Sequence, residues 1–296
     1  MASREISPER YTRYTRWALW SLTVIVVSGG AVRLTGSGLG CSDWPNCEED
    51  QFVASLEYHA LIEFVNRLFT GVVTIAVVLA VLGSIRRIPR RQDLVWWSWG
   101  LVAGVIAQVI LGALLVKTDL DPRFTMGHFL LSMVLLWNAV VLIHKAADPT
   151  PVESPPWIRR LAWMSSLIGS VLLVSGTIVT GSGPHSGSDE EEVAERLPFL
   201  VRDVARIHAV IAISLLIVVV SLWRVGKQAE LSHLAQRAQT VVALLVAQGA
   251  VGYWQYFTGV PVVLVAIHLA LASLAWINLV RLHLATRSHV TVSHTS

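Results

Sequence analysis

Charge is scarce in this chain. Asp, Glu, Lys and Arg make up only 15% of its 296 residues, against about 25% in a typical soluble domain, which argues against a free-standing soluble fold. Cysteine is scarcer still: the only two are Cys41 and Cys47. They stand close in sequence with no histidine cluster beside them, which is a weak signal for a cysteine-built metal centre. A cleavable signal is not expected either. Residues 1–16 are basic, but the apolar stretch after them is span-length and lacks an A-x-A cleavage site, so it reads as a retained first helix. Amphipathic striping is absent as well, because the apolar residues fall in long blocks.

Apolar residues are abundant, at 54% of the chain. A helix that is apolar all round has lipid or protein on every side. Eight spans are predicted, at about 17–34, 60–84, 94–116, 125–144, 159–180, 204–223, 238–257 and 262–282. Several of the 12 tryptophans (Trp17, Trp20, Trp157 and Trp223) stand beside these blocks, as indoles do at a membrane interface. Basic residues gather in alternate connections: Arg4, Arg10, Arg13 and Arg16; Arg86, Arg87, Arg90 and Arg91; Lys145, Arg159 and Arg160; Arg224, Lys227 and Arg237; Arg281 and Arg287. That side is predicted to be cytoplasmic, with both termini inside. The longer loops, 35–59 and 181–203, then face outward, the second being acidic (Asp189, Glu190, Glu191, Glu192, Glu195).

The chain repeats itself. Residues 107–140 match 247–280 in register, with the identities Gln108/Gln248, Gly112/Gly252, Thr118/Thr258, His128/His268 and Asn138/Asn278. Earlier, Ser28-Gly29 and Thr35-Gly36-Ser37-Gly38 recur as Ser175-Gly176 and Thr180-Gly181-Ser182-Gly183. The predicted fold class is therefore all-α integral membrane: two four-helix halves, 1–145 and 159–296, around a linker at 146–158. Four helices per half gives both the same orientation, related by a pseudo-two-fold axis along the membrane normal.

Polar groups inside spans are costly and normally serve the bundle interior. His128, His208 and His268 lie at similar depth near the outer ends of spans 4, 6 and 8. Imidazoles on facing bundle helices can clamp haem iron from two sides, and His208 with His268 is the clearest pair. The bland alternative is a buried histidine donating to a backbone carbonyl. In the first half the repeat aligns Asn66 with His208, and Asn is a poor haem ligand. His59 shares a helix face with Asn66 about two turns, roughly 10 Å, further out. It is either a ligand opposite His128 or an interfacial histidine bound to water or a haem propionate. Glu63 lies on the same face, read either as a proton-handling carboxylate or as the partner of Arg67. Arg33, Arg67 and Arg206 near outer ends are candidate propionate partners or headgroup-reaching side chains. On an oxidising side Cys41 and Cys47 are expected to pair, as a structural staple or as an exchangeable disulfide. His144, His185, His233, His283, His289 and His294 are assigned no role.

These residues resemble a known family. Gly30-Ala31-Val32-Arg33-Leu34-Thr35-Gly36-Ser37-Gly38-Leu39-Gly40-Cys41, Trp44-Pro45, Cys47, Ile62-Glu63-Phe64, Gly127-His128, Arg206-Ile207-His208 and His268 are similar to haem A synthase. The resemblance spans about residues 17–284. It implies oxidation of the C8 methyl of haem O to a formyl group, for cytochrome oxidase assembly. It implies haem b between His208 and His268, and substrate haem O in the first half near Glu63 and His128. The family pattern Glu-x-x-His-Arg reads Glu63-Phe64-Val65-Asn66-Arg67 here, so the helix 2 ligand is missing from its usual place. Expected partners are the lipid bilayer, haem O, the enzyme that makes haem O and a membrane or thiol electron donor. No nucleic acid is expected, a homo-oligomer is left open, and the expected location is a bacterial inner membrane. The rival classes are a non-catalytic di-haem b-type electron-transfer cytochrome and a transporter with parallel repeats. The clustering of polar residues near one surface disfavours the transporter.

Overall fold

A computed structural model describes residues 5–41, 46–47, 53–152, 154–185, 187–188 and 195–289. Trp44 and Pro45 of the motif, Asp189 to Glu192 of the acidic run, Arg4 and His294 lie outside the described residues. Among the described residues eight helices follow in chain order: α1 Pro8–Leu34, α2 Tyr58–Arg86, α3 Gln92–Lys117, α4 Pro122–Ala146, α5 Pro156–Ser182, α6 Val201–Gln228, α7 Ser232–Phe257 and α8 Val262–Ala285. Two short strands, β1 Thr150–Pro151 and β2 Ser288–His289, pair antiparallel and tie the α4–α5 connection to the C-terminal segment.

Seven of the helices are long and apolar enough to cross a membrane, and the chain is a multi-pass membrane protein. The exception is α7. Its 26 residues are sufficient in length, but Gln236, Arg237, Gln239, Gln248 and Gln255 dilute its apolar content. The span predicted at 238–257 is thus present as a helix that lacks the hydropathy of the others.

The helices begin where local chemistry allows. Pro8, Pro122 and Pro156 occupy first-turn positions, where the missing N–H is not needed. Ser7 accepts from the Arg10 amide, and Asp121 accepts from the Arg123 amide at 2.8 Å. The Arg123 side chain beside Asp121 holds that carboxyl below the usual carboxylate range. The connections 118–121 and 258–261 are built alike. Asp119 and Leu120 in one, Gly259 and Val260 in the other, take positive φ. In each, the N–H of the second of these residues reaches back to the preceding helix: Leu120 to the Leu115 carbonyl, Val260 to that of Gln255.

Each helix packs on the next, except that α4 and α5 meet only after the linker; α1 closes on α4, and α5 closes on α8. Across the middle, α4 lies on α8 and on α5, and α1 lies on α8. Among the described residues two large apolar clusters form the core, one built mainly by α1–α4 with Ile277 and Val280 of α8 joining it, and one among α5–α8. Trp276 of α8 packs against both and donates its indole N–H to the Met133 carbonyl of α4 at 2.8 Å. The dense packing lies toward the end of the bundle where α1 starts and α8 finishes, here called proximal. Towards the distal end, burial thins. The last buried residue of α3 is Leu101 and of α7 is Leu245, and the first of α6 is Leu215. Between Pro122 and Met133 on α4, and between Leu264 and Ser273 on α8, none is buried.

The proximal end is also held by charge. Arg87 is 1% exposed, donates to the Pro89 carbonyl at 2.6 Å and pairs with Asp148 at 2.5 Å. Arg91 pairs with the same Asp148 and with Asp93, which Lys145 also reaches. This network joins the α2–α3 corner to the end of α4.

If Trp276 joins the two clusters, Trp276→Ala should cost about 3–5 kcal/mol, read as a lowered melting temperature in detergent. Trp163, which is 56% exposed, should tolerate the same change; equal losses at the two positions would remove Trp276 from this role.

Candidate functional site

The distal ends of the even-numbered helices carry the polar residues singled out in the sequence, and a glycine of the preceding helix faces four of them, Asn66, His128, His208 and His268. A Cβ placed on Gly176 of α5 would stand 3.1 Å from Cε1 of His208, and one on Gly252 of α7 would stand 3.1 Å from Cε1 of His268. On Gly112 of α3 it would stand 3.8 Å from Cε1 of His128, and on Gly29 of α1 it would stand 3.9 Å from Nδ2 of Asn66. Glycine lets the backbone of one helix approach the side chain of its neighbour. The resulting contacts hold the rings inside the bundle.

The hydrogen bonds around these groups differ. His208 Nδ1 lies 2.9 Å from Ser175 Oγ. At the matching place, Ser28 Oγ lies 2.7 Å from Asn66 Oδ1. The Nδ1 atoms of His128 and His268 are buried without a hydrogen-bond partner. Gln108 spans the base of the His128 turn, donating to the His128 carbonyl at 3.1 Å and to Ser132 Oγ at 2.7 Å. Among the described residues no group of three or more His, Cys, Asp or Glu gathers as a metal cage. What the fold offers is isolated imidazoles on facing helices.

Glu63 occupies a different position. It is 6% exposed, in the second turn of α2. Its Oε2 accepts from the Cys41 amide at 2.8 Å; its Oε1 accepts from Arg67 Nε at 3.0 Å and Nη2 at 2.5 Å. Arg67 Nη1 donates in turn to the Asn46 carbonyl at 3.0 Å. Cys41 and Cys47 are joined by a disulfide and buried against Ala54, Ala60 and Phe64. The carboxylate and its arginine therefore grip both ends of the disulfide loop. Of the two sequence readings of Glu63, the ion pair with Arg67 is present.

The arginines and His59 are placed as follows. Arg33 donates to the His185 carbonyl through Nε at 3.1 Å and Nη2 at 2.9 Å, and to the Thr180 carbonyl at 3.3 Å. His185 Nε2 lies 2.8 Å from the Val260 carbonyl. Arg33 thus links α1, the α5–α6 connection and the α7–α8 turn. His185 had no assigned role in the sequence; its part depends on contacts far apart along the chain. Beside this link, Ser37 and Ser188 form an antiparallel bridge, and the Gly38 amide donates to the Gly187 carbonyl at 2.8 Å. Arg206 is exposed and only loosely near Asp203, at 4.0 Å. It lies two residues before His208, so the two do not share a helix face. His59 sits in the first turn of α2 with Nδ1 2.9 Å from Ser37 Oγ, edge-on to Tyr58. Sequence reasoning missed the serines and glycines as supports, although their recurrence was visible as Ser28-Gly29 and Ser175-Gly176.

The chain matches the COX15-CtaA family model, described as cytochrome oxidase assembly protein, over residues 13–280. It is 30% identical over 145 residues to a protein of Geobacillus kaustophilus named Heme A synthase, covering 45% of each chain. It is 26% identical over 167 residues to one of that name from Exiguobacterium sibiricum, covering 55% of this chain and 56% of the relative. A Thermus thermophilus protein named Protoheme IX farnesyltransferase is 26% identical over 272 residues, which is 86% of this chain but 45% of that protein. The matches span between 45% and 56% of these relatives' lengths.

Gly40 carries the loop across the start of α2. A Cβ there would stand 2.3 Å from the His59 carbonyl oxygen. Gly40→Ala is therefore expected to push Cys41 off Glu63. At a limiting concentration of reductant, Cys41 and Cys47 should then be opened and alkylated faster than in the unaltered chain, while Gly29→Ala leaves that rate as it was; an unchanged rate in Gly40→Ala would overturn the packing account.

Proposed function

Because the chain belongs to the family of cytochrome oxidase assembly proteins that it matches over residues 13–280, we propose that it is a haem A synthase of a bacterial inner membrane, oxidising the C8 methyl of haem O to a formyl group by successive hydroxylations. The observation that carries the reading is the repeated distal arrangement: an imidazole on α4, α6 and α8, each against a glycine of the helix before it.

We read the chain as two four-helix halves, 1–145 and 159–296, with the linker 146–158 and both termini cytoplasmic. A pseudo-two-fold axis along the membrane normal maps α1–α4 onto α5–α8. The contact of α4 with α8 would map onto itself, and that of α1 with α8 onto that of α5 with α4; both kinds are present. The matched turns at 118–121 and 258–261 support the same relation. In this reading α7 crosses the membrane, with Gln248 and Gln255 partly covered and Gln236 and Gln239 exposed toward its proximal start.

The second half fits a resident haem b. Ser175 fixes His208 through Nδ1, which leaves Nε2 as the free ring nitrogen, the usual way a second partner orients an imidazole ligand. His268 has an unpartnered buried nitrogen, and Gly176 and Gly252 give both rings room. Haem b, when bound, supplies reversible one-electron chemistry. His208 and His268 would hold it, and the apolar walls of α5–α8 would exclude water from it.

Haem O is the substrate, taken in the first half with His128 as its histidine. Glu63 stands at the rim of that half, positioned by Arg67 and the Cys41 amide. Its role is to hold a proton or negative charge near the methyl being oxidised. The Glu63 contacts make the disulfide loop part of the site: moving Cys41 moves the carboxylate. Arg67, and the exposed Arg206 at the mouth of the other half, are the propionate partners in this reading, whereas Arg33 is engaged by backbone carbonyls. The Thermus relative matches this chain along less than half its length and is named for putting a farnesyl group on protohaem. That supports delivery of haem O from such an enzyme, with electrons supplied by a membrane or thiol donor.

The test is extraction of haems from membranes of a host supplying haem O. Haem A should appear with the chain and fall about 10²-fold or more in Glu63→Gln, with the disulfide intact. Bound haem without haem A, in a host with a working electron donor, would return the chain to the electron-transfer class.

Orientation has its own test. Cysteine placed at Thr258 should react with an impermeant maleimide in intact cells, and cysteine at Ala229 only after lysis. Labelling of both from one side would make α7 a surface helix and put the termini on opposite sides.

A further inference from the structure

The two halves build one polar position from the same supports with different chemistry. On α5, Ser175 and Gly176 adjoin; Ser175 Oγ meets His208 Nδ1 at 2.9 Å and Gly176 faces the ring. On α1, Ser28 and Gly29 adjoin; Ser28 Oγ meets Asn66 Oδ1 at 2.7 Å and Gly29 faces the amide. The hydroxyl, the glycine and the helix pair are kept, and the imidazole has become an amide. An imidazole held at Nδ1 still has a ring nitrogen whose lone pair can bind iron. An amide whose oxygen accepts from a hydroxyl has only its –NH2 left, which donates and has no lone pair to give.

Among the described residues, no side chain lining the groove beside Asn66 replaces the lost ligand. The groove beside Asn66, about 390 Å³ in volume, is walled by Val24, Ala31, Ile62, Val65 and Phe69 with Ser28 as the other polar group. None of these side chains is a usual iron ligand. His59 is seven residues away on the same helix, roughly 10 Å along the axis, at the loop and against Ser37. The opposing position is unchanged between halves: His128 and His268 each face a glycine and each keep a buried, unpartnered Nδ1.

Resting on the haem reading above, we infer that the first half holds its haem by a single protein ligand, His128, with the Asn66 amide as an N–H donor on the other side of the iron. One haem of the protein is then six-coordinate, between His208 and His268. The other is five-coordinate and open to a small diatomic ligand, beside a donor able to hydrogen-bond it. Asn66 acts as a positioning residue.

The experiment uses the full chain purified from a host that makes haem O. Haem content, electron paramagnetic resonance of the oxidised protein, and carbon monoxide binding to the reduced protein are measured. Two haems are expected. One is low-spin, blind to carbon monoxide and lost in His208→Ala; the other is high-spin, binds carbon monoxide and is lost in His128→Ala. Asn66→His should convert the high-spin signal to low-spin and abolish carbon monoxide binding, leaving the other signal as it was. Should Asn66→His fail to fold, His128→Ala still reports which signal belongs to the first half. Two low-spin haems in the unaltered chain, neither binding carbon monoxide, would overturn the single-ligand inference while leaving the proposed function standing; loss of one of them in His59→Ala would identify the extra ligand. Haem in the second half alone would overturn the first-half substrate site itself, and this inference with it.

Discussion

A polar side chain in an apolar bundle needs a neighbour that makes room for it and fixes its orientation. The distal half of this molecule is arranged around that constraint. Odd-numbered helices supply glycines and, twice, a serine; even-numbered helices supply the imidazoles and the amide. The arrangement needs helices that pack in order, so that each donor of space lies beside its recipient, and short turns such as 118–121 and 258–261 keep α3 with α4 and α7 with α8. It also needs a firm base, because a glycine contact stabilises little by itself. That base is the proximal packing, where both apolar clusters and the Arg87–Asp148 network lie.

The loops add a second level of organisation. Glu63 and Arg67 of α2 fasten the disulfide loop, and Arg33, His185 and Val260 fasten α1 to two connections of the other half. The first set ties the loop to its own half. The second, with the Ser37–Ser188 bridge, ties the halves to each other. Residues that look alike in sequence as outer-end arginines thus divide by partner. Arg33 meets backbone carbonyls, Arg67 meets a carboxylate and a carbonyl, and Arg206 stays in the open.

Apolar length made the helices legible. Every predicted span has its helix, and the distal ends agree closely because loops there start at glycine, proline and charge. The proximal ends run further than predicted: α1 starts at Pro8, and α6 continues to Gln228. Those extensions are polar and capped locally, so hydropathy does not register them. In α7 the length was readable and the amides were not weighed. At the site, the repeat gave His128 with His268 and flagged Asn66 against His208, because rare polar residues in register stand out. The supports were visible only as recurring small residues, since a serine or glycine carries no chemistry until its neighbour across the helix pair is known. His185 was unreadable for the same reason: its partners are Arg33 and Val260, far along the chain in both directions.

The uneven packing has a mechanical consequence. A bundle clamped at one end and loosely filled at the other is stiff where its side chains interlock and compliant where they do not. Its softest deformation spreads the distal helix tips sideways about the clamped base, as the tines of a fork spread about its stem. The staples between the loops limit the travel by joining the two sets of tips to each other. A flat, rigid, lipid-soluble guest could then enter edgewise through the wall of the bundle, from the bilayer, and the same elasticity would return the wall against it.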